Sequence, residues 1–169
     1  GIDACHKLTI MASIAFGIPL QFNKAYTEGI SNITPSDIQY ADSLGYRIKH
    51  LGIARQHDKG IELRVHPTLI PKNRPLASID GVMNSVMVQG DAIGQTMLSG
   101  PGAGAEPTAS SVIADIVDIT RTLETPNSAA NALGFLSENL SDTLPVLPIN
   151  ETESSFYLRI HADDHPGVM

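Results

Sequence analysis

Between residues 46 and 67 the chain reads as a hairpin, and that stretch restricts its fold more than any other. Tyr46 to Arg55 (YRIKHLGIAR) and Ile61 to Pro67 (IELRVHP) read as two strands around the turn His57-Asp58-Lys59-Gly60. In the second strand Ile61, Leu63 and Val65 alternate with Glu62, Arg64 and His66. One face therefore enters a core while the other is wet or meets another surface.

The remaining segments supply what that hairpin packs against. Val82 to Gln89 and Gln95 to Ser99 form a second hairpin around Gly90-Asp91-Ala92-Ile93-Gly94, and Ala25 to Ile30 is a short strand, for a count of five. Thr68 to Ile79 contains Pro71 and Pro75, cannot pair regularly, and reads as a long loop. A helix runs from about Asp3 to Phe16, with Leu8, Met11, Ile14 and Ala15 at helical spacing and Gly17 and Pro19 at its end. Thr34-Pro35-Ser36-Asp37 opens a second helix with Thr34 as cap and Pro35 at its first position, and Gly45 ends it. A third spans Ala109 to Leu123, with Val112, Ile113, Ile116 and Val117 on its buried side. The fold class is α/β (α+β), a mixed sheet of about five strands covered by helices on at least one face.

A chain of 169 residues with 42% apolar content buries one sizeable core. Its apolar runs fall far short of the roughly 20 residues of a membrane span, so no membrane partner is expected. The single cysteine, Cys5, excludes an internal disulfide framework and fits a reducing, cytoplasmic compartment. Eleven basic against 18 acidic residues, net −7, argue against a nucleic-acid partner held by phosphate contacts. The charge is uneven: residues 123 to 169 carry seven acids against Arg159 alone. That shift marks a boundary, giving a unit at 1–123, an acidic, proline-containing linker at 124–153 with one short helical possibility at Ala129 to Glu138, and a terminal piece at 154–169. In that piece Phe156, Leu158 and Ile160 alternate as a strand that docks on the main sheet or stays disordered. The six histidines are scattered, and no metal site is expected.

Two stretches carry possible chemistry. Asp3 and Lys7, four apart, share a helix face. They form either an exposed ion pair near the helix dipole or an acid and amine that move a proton in a cleft. Gly100-Pro101-Gly102-Ala103-Gly104-Ala105-Glu106-Pro107-Thr108 joins a strand to a helix. Such a loop lets backbone approach a ligand, or merely serves a tight connection. It is neither the dinucleotide fingerprint, which needs Gly at 105, nor a Walker loop, which needs a Lys-Ser or Lys-Thr pair.

Five motifs in order carry a resemblance: GIDACHK at 1–7, GISNIT at 29–34, LGYRIK at 44–49, VHPTLIP at 65–71 and GPGAGAEPTAS at 100–110. Together they resemble homoserine dehydrogenase over residues 1 to about 123, with the first seven similar to the end of that family's signature. Residues 156 to 169 resemble the first strand and turn of an ACT regulatory domain. The resemblance implies an NAD- or NADP-dependent oxidoreductase interconverting L-homoserine and L-aspartate 4-semialdehyde, in threonine, methionine and isoleucine biosynthesis. It implies Lys7 as proton donor and acceptor, Asp3 as its orienting carboxylate or the acceptor of the substrate ammonium, and a loop of Gly102, Gly104 and Glu106 near the nicotinamide. It implies a homodimer or higher homo-oligomer and an amino-acid effector at the ACT piece. Its nucleotide-binding Rossmann half is not in this sequence, so the chain reads as a piece of a longer protein and is expected to be inactive alone. A non-catalytic dimerisation or regulatory module of the same fold is the alternative. The catalytic reading requires the Lys7 amine to face a recess shared with the glycine segment.

Overall fold

A computed structural model describes residues 1–124, 140–141 and 144–162. The expected hairpin is its centre. Strands β2 (Tyr46–His57) and β3 (Gly60–Pro71) pair antiparallel along their whole length, from His57 opposite Gly60 to Tyr46 opposite Pro71. The short strand β1 (Tyr26–Thr27) lies parallel to β3 on its other side, opposite Arg64 and Val65, so β3 is the middle strand of a mixed three-stranded sheet.

Of the loop expected from Thr68 to Ile79, the first four residues instead continue β3 to Pro71, and residues 72–79 are irregular as expected. Val65 accepts from Glu28 N–H on the β1 side, and Ile61 also bonds away from β2, to Pro145 and Leu147. Pro67 and Pro71 share that parity, so the donors they lack point to the edge that β1 leaves uncovered. Only Pro75 breaks the strand direction, in a short 3-10 turn at Pro75–Ser78.

Helix α1 (Ile2–Phe16) packs on this sheet and ends where expected, at Gly17 in the left-handed conformation. Its buried stripe is not the one drawn from large apolar residues. Cys5, Leu8, Thr9, Ala12 and Ser13 face inward, while Met11 and Ile14 are exposed. Thr9 and Ser13 tolerate burial because their hydroxyls donate to the carbonyls of Cys5 and Ile18. The small residues let helix and sheet approach closely. A Cβ added at Gly52 on β2 would lie 3.3 Å from a Leu8 methyl. Ala12 with Ile18, Ile61 and Leu63, and Cys5 and Leu8 with Val65, complete the core.

Helix α2 (Pro35–Ser43) packs on β2 and carries the full capping box: Thr34 Oγ1 accepts from Asp37 N–H, and the Asp37 carboxylate accepts from Thr34 N–H at 2.8 Å. The second hairpin, β4 (Met83–Gly90) and β5 (Gly94–Pro101), makes its own two-stranded sheet and does not extend the first, so the five strands divide three and two. Helix α3 (Ala105–Glu124) follows, starting four residues earlier than expected. Its presumed buried side is open: Val112, Ile113, Ile116 and Val117 are 40 to 59% exposed. Periodicity states that a helix has an apolar face, but not that the surface to cover it lies in the same stretch of chain.

On β3 every residue from Gly60 to Val65 is buried, Glu62 and Arg64 included, so the charged face is not a wet one. This removes the free β3 face as a reason for dimerisation. Part of the stretch expected as a linker also joins the core: Val146 bridges parallel to Ile61, and Leu144 and Val146 pack beside Ala12 and Leu63. The helical possibility at 129–138 lies outside the described residues. The terminal strand is extended but joins no ladder. Tyr157 and Arg159 anchor it to α2 by reaching Asp37 at 3.2 and 2.8 Å, and Phe156, Leu158 and Ile160 stay exposed. Among the described residues no helix is long and apolar enough to cross a membrane.

Candidate functional site

The first turn of α1 begins at Gly1, whose carbonyl accepts from Cys5 N–H, and this sets Asp3 and Lys7 on one face. Lys7 Nζ lies 2.8 Å from the Asp3 carboxylate. The hydrogen bond from Lys7, and then its charge, hold the Asp3 carboxyl below the usual carboxylate range. Asp3 sits at the positive end of the helix dipole, which favours the same ionised state. The pair is open to solvent, with side chains 66% (Lys7) and 83% (Asp3) exposed.

The same corner gathers groups that motif reading passed over. A Cβ on Gly1 would sit 2.8 Å from Thr27 and 3.1 Å from the Glu28 carbonyl, so the start of α1 abuts the end of β1. There Tyr26 donates to the Glu28 carboxylate at 3.1 Å, and His50 Nε2 on β2 lies 2.9 Å from the Glu28 carbonyl. Burial and then that carboxylate raise the Tyr26 hydroxyl above its ordinary pKa. No sequence spacing links Gly1, Glu28 and His50; the parallel pairing of β1 with β3 brings them together.

The glycine segment lies at the other end of the second hairpin. Gly102 donates its N–H to the Val82 carbonyl at 3.0 Å, and a Cβ there would coincide with the Asn84 amide, 1.3 Å away. A side chain there would require the exposed Asn84 amide to swing aside. Gly104 has φ +124 and precedes α3, and Glu106 stands exposed in the first turn of that helix. An open hollow of about 270 Å³ runs beside the segment, bounded by Asn84, Val86, Leu98, Gly100 and Gly102.

Neither Lys7 nor Asp3 lines that hollow. The recess that the catalytic reading requires between the amine and the glycine segment is therefore not closed by the described residues. What they form is two open surfaces. One carries an ammonium steadied by a carboxylate, which can give or take a proton. The other is small-residue backbone with no Lys or Arg in its lining.

Comparison with known proteins supplies the context. The profile of the homoserine dehydrogenase family matches residues 1–117. The chain is 63% identical over its whole length to a homoserine dehydrogenase of Pseudomonas aeruginosa and 52% identical to one of Neisseria gonorrhoeae, covering 39% of each. A crystal structure of a homoserine dehydrogenase from Thiobacillus denitrificans superposes with a TM-score of 0.81 at 60% identity, over 88% of this chain and 34% of that one. One from S. aureus gives 0.66 at 38% identity, over 74% of this chain and 32% of that one. The chain thus spans about 39% of the length of the curated relatives it matches.

Proposed function

The chain belongs to the homoserine dehydrogenase family, and from that premise we propose that it forms the substrate-handling part of an enzyme interconverting L-homoserine and L-aspartate 4-semialdehyde. A nicotinamide cofactor, NAD or NADP, supplies the hydride when bound. The observation that carries the reading is the Asp3–Lys7 pair at 2.8 Å on the first turns of α1. As hydride reaches the aldehyde carbon, negative charge grows on its oxygen. The Lys7 ammonium stabilises that oxygen and passes it a proton, and in the oxidative direction the neutral amine takes the hydroxyl proton back. Asp3 holds the ammonium in place and is the acceptor for the substrate's own ammonium group.

The exposure of both residues accords with half of a site, in a chain that spans 39% of its relatives' length. Holding hydride donor and acceptor together is worth orders of magnitude in rate, so the 169 residues alone are proposed to be inactive. The segment of Gly102, Gly104 and Glu106 suits the flat nicotinamide end of the cofactor, whose ring is cationic when oxidised and neutral when reduced. Small side chains leave the backbone open there, and the acid in the first turn of α3 disfavours a phosphate.

The test is homoserine-dependent reduction of NAD or NADP by the polypeptide that carries this chain. Lys7→Ala should lower turnover by about a hundredfold or more. Unchanged turnover would remove Lys7 from the mechanism, and no turnover in the parent would favour the non-catalytic module. Pairing into a homodimer, a cytoplasmic location and an amino-acid effector bound through an ACT domain beginning near residue 156 belong to the same proposal. Sedimentation equilibrium checks the first of these, and only monomer at high concentration would overturn it.

A further inference from the structure

The two surfaces are carried by two separate sheets. Lys7 belongs to the three-stranded core, through the packing of α1 on β2 and β3. The glycine segment belongs to the β4–β5 hairpin, which shares no ladder with the core sheet. Whatever fixes the hairpin on the core also sets the distance between amine and glycine segment.

One side chain stands at that junction. Lys49, the fourth residue of β2, is only 19% exposed and reaches out of the core to residues 79 and 80. Its ammonium donates to the Ile79 carbonyl at 2.5 Å and to the Asp80 carboxylate at 2.6 Å. Directly after these two residues comes Gly81, with φ +65 and open space where a side chain would stand, in a turn closed by Met83 N–H on the Asp80 carbonyl. Such a glycine is a natural pivot, because it crosses between left- and right-handed backbone at little cost. Val82, the next residue, accepts from the N–H of Gly102. The path from core to glycine segment is therefore short: Lys49, the Ile79–Asp80 peptide, the Gly81 pivot, Val82, Gly102. At the core end, Gly52, three residues along β2 from Lys49, is the position against which Leu8 of α1 packs.

We propose that Lys49 is a positioning residue, a clamp that holds the β4–β5 hairpin and its glycine segment at a set distance and angle from the Lys7-bearing helix. It touches neither reacting group. It acts by tying the Ile79–Asp80 peptide to β2, so that the hairpin can turn only at Gly81; without it residues 79–80 move as well, and the hairpin samples a wider range of positions. The functional half of this inference rests on the reading that Lys7 and the glycine segment serve one reaction; the clamp itself does not.

Two measurements test it separately. On the 169-residue chain, spin labels at Ile10→Cys on α1 and Ala105→Cys at the start of α3 report the distance between the bodies, while the fully buried Cys5 is shielded from labelling. Lys49→Met should roughly double the width of the distance distribution, because the removed restraint lets more orientations populate. Lys49→Arg should keep it narrow. Asp80→Asn, at an exposed carboxylate that leaves the core untouched, should broaden it part of the way and serves if Lys49→Met does not fold. In the polypeptide carrying this chain, Lys49→Met should lower kcat about tenfold or more, with KM for homoserine changed less, since misplacement of the reacting groups costs rate before binding. Lys49→Arg should restore most of it. Equal widths in parent, Lys49→Met and Asp80→Asn would overturn the clamp. A broadened distribution with full kcat would overturn its role in positioning. A parent that never oxidises homoserine would refute the functional reading while the distance measurement still decided the clamp.

Discussion

Replacing Arg64 by Met should destabilise the chain by about 3 kcal/mol, although it puts an apolar residue into a buried site. Arg64 is 7% and Glu62 1% exposed, and the guanidinium Nε faces Glu62 Oε1 as an ion pair in which neither atom gains a hydrogen bond. The other Glu62 oxygen lies 2.9 Å from His57 Nε2, and Arg64 donates to His66 Nε2 at 3.2 Å. Removing one member of such a pair strands the other charge away from water, which costs about 3–5 kcal/mol. Arg64→Met falls at the lower end because His57 stays beside Glu62. Glu62→Leu falls higher, because Arg64 then keeps no anion. Replacing both, Glu62→Leu with Arg64→Met, should return stability to within about 1 kcal/mol of the parent or above it, since the desolvation cost of two imperfectly bonded charges disappears. For a chain of this length the single losses correspond to drops of about 6 to 20 °C in melting temperature. Urea unfolding of the four proteins gives the coupling directly as a double-mutant cycle. Single losses below about 1 kcal/mol, or a double variant as unstable as the sum of the singles, would refute a buried pair whose cost is desolvation.

Two further outcomes follow from the helix termini. Thr34→Ala removes the cap of α2 and should cost about 1 kcal/mol in urea unfolding; because Thr34 Oγ1 also accepts from Arg159 at 2.7 Å, amide exchange of residues 156–160 should quicken in the same variant. Asp3 titrates below its ordinary value in the folded chain because of Lys7, so its share of stability is present above the unfolded-state pKa and is lost as pH falls through the folded one. In Lys7→Met the carboxyl carbon of Asp3, followed by NMR, should titrate closer to the ordinary value; an unmoved midpoint would mean that the pair does not form in solution.

Local chemistry was written where local forces decide. The ends of α1, the capping of α2 by Thr34, and the turn at Asp58 and Lys59 each depend on residues within four positions of one another, and all could be read directly. Reading failed where a distant segment supplied the missing partner. Pro67 and Pro71 are harmless in β3 only because β1 is too short to need their donors. Glu62 and Arg64 pass for a wet face until their burial is measured. Met11 and Ile14 outrank Thr9 and Ser13 in hydrophobicity, yet the small residues win the interface because two backbone carbonyls satisfy their hydroxyls.

The candidate site divides the same way. Sequence alone placed Asp3 and Lys7 on one helical face, since four residues of helix bring side chains into register whatever surrounds them. It singled out the glycine segment, although not that the Asn84 amide occupies the space where a side chain at Gly102 would stand. Tertiary structure alone decided that the hairpin leading into the glycine segment shares no ladder with the sheet beneath Lys7, and that Lys49 meets a carbonyl 30 residues away in sequence. A helix face is set by bonds between near neighbours, whereas the distance between two bodies is set by side chains that meet only after the sheet has formed.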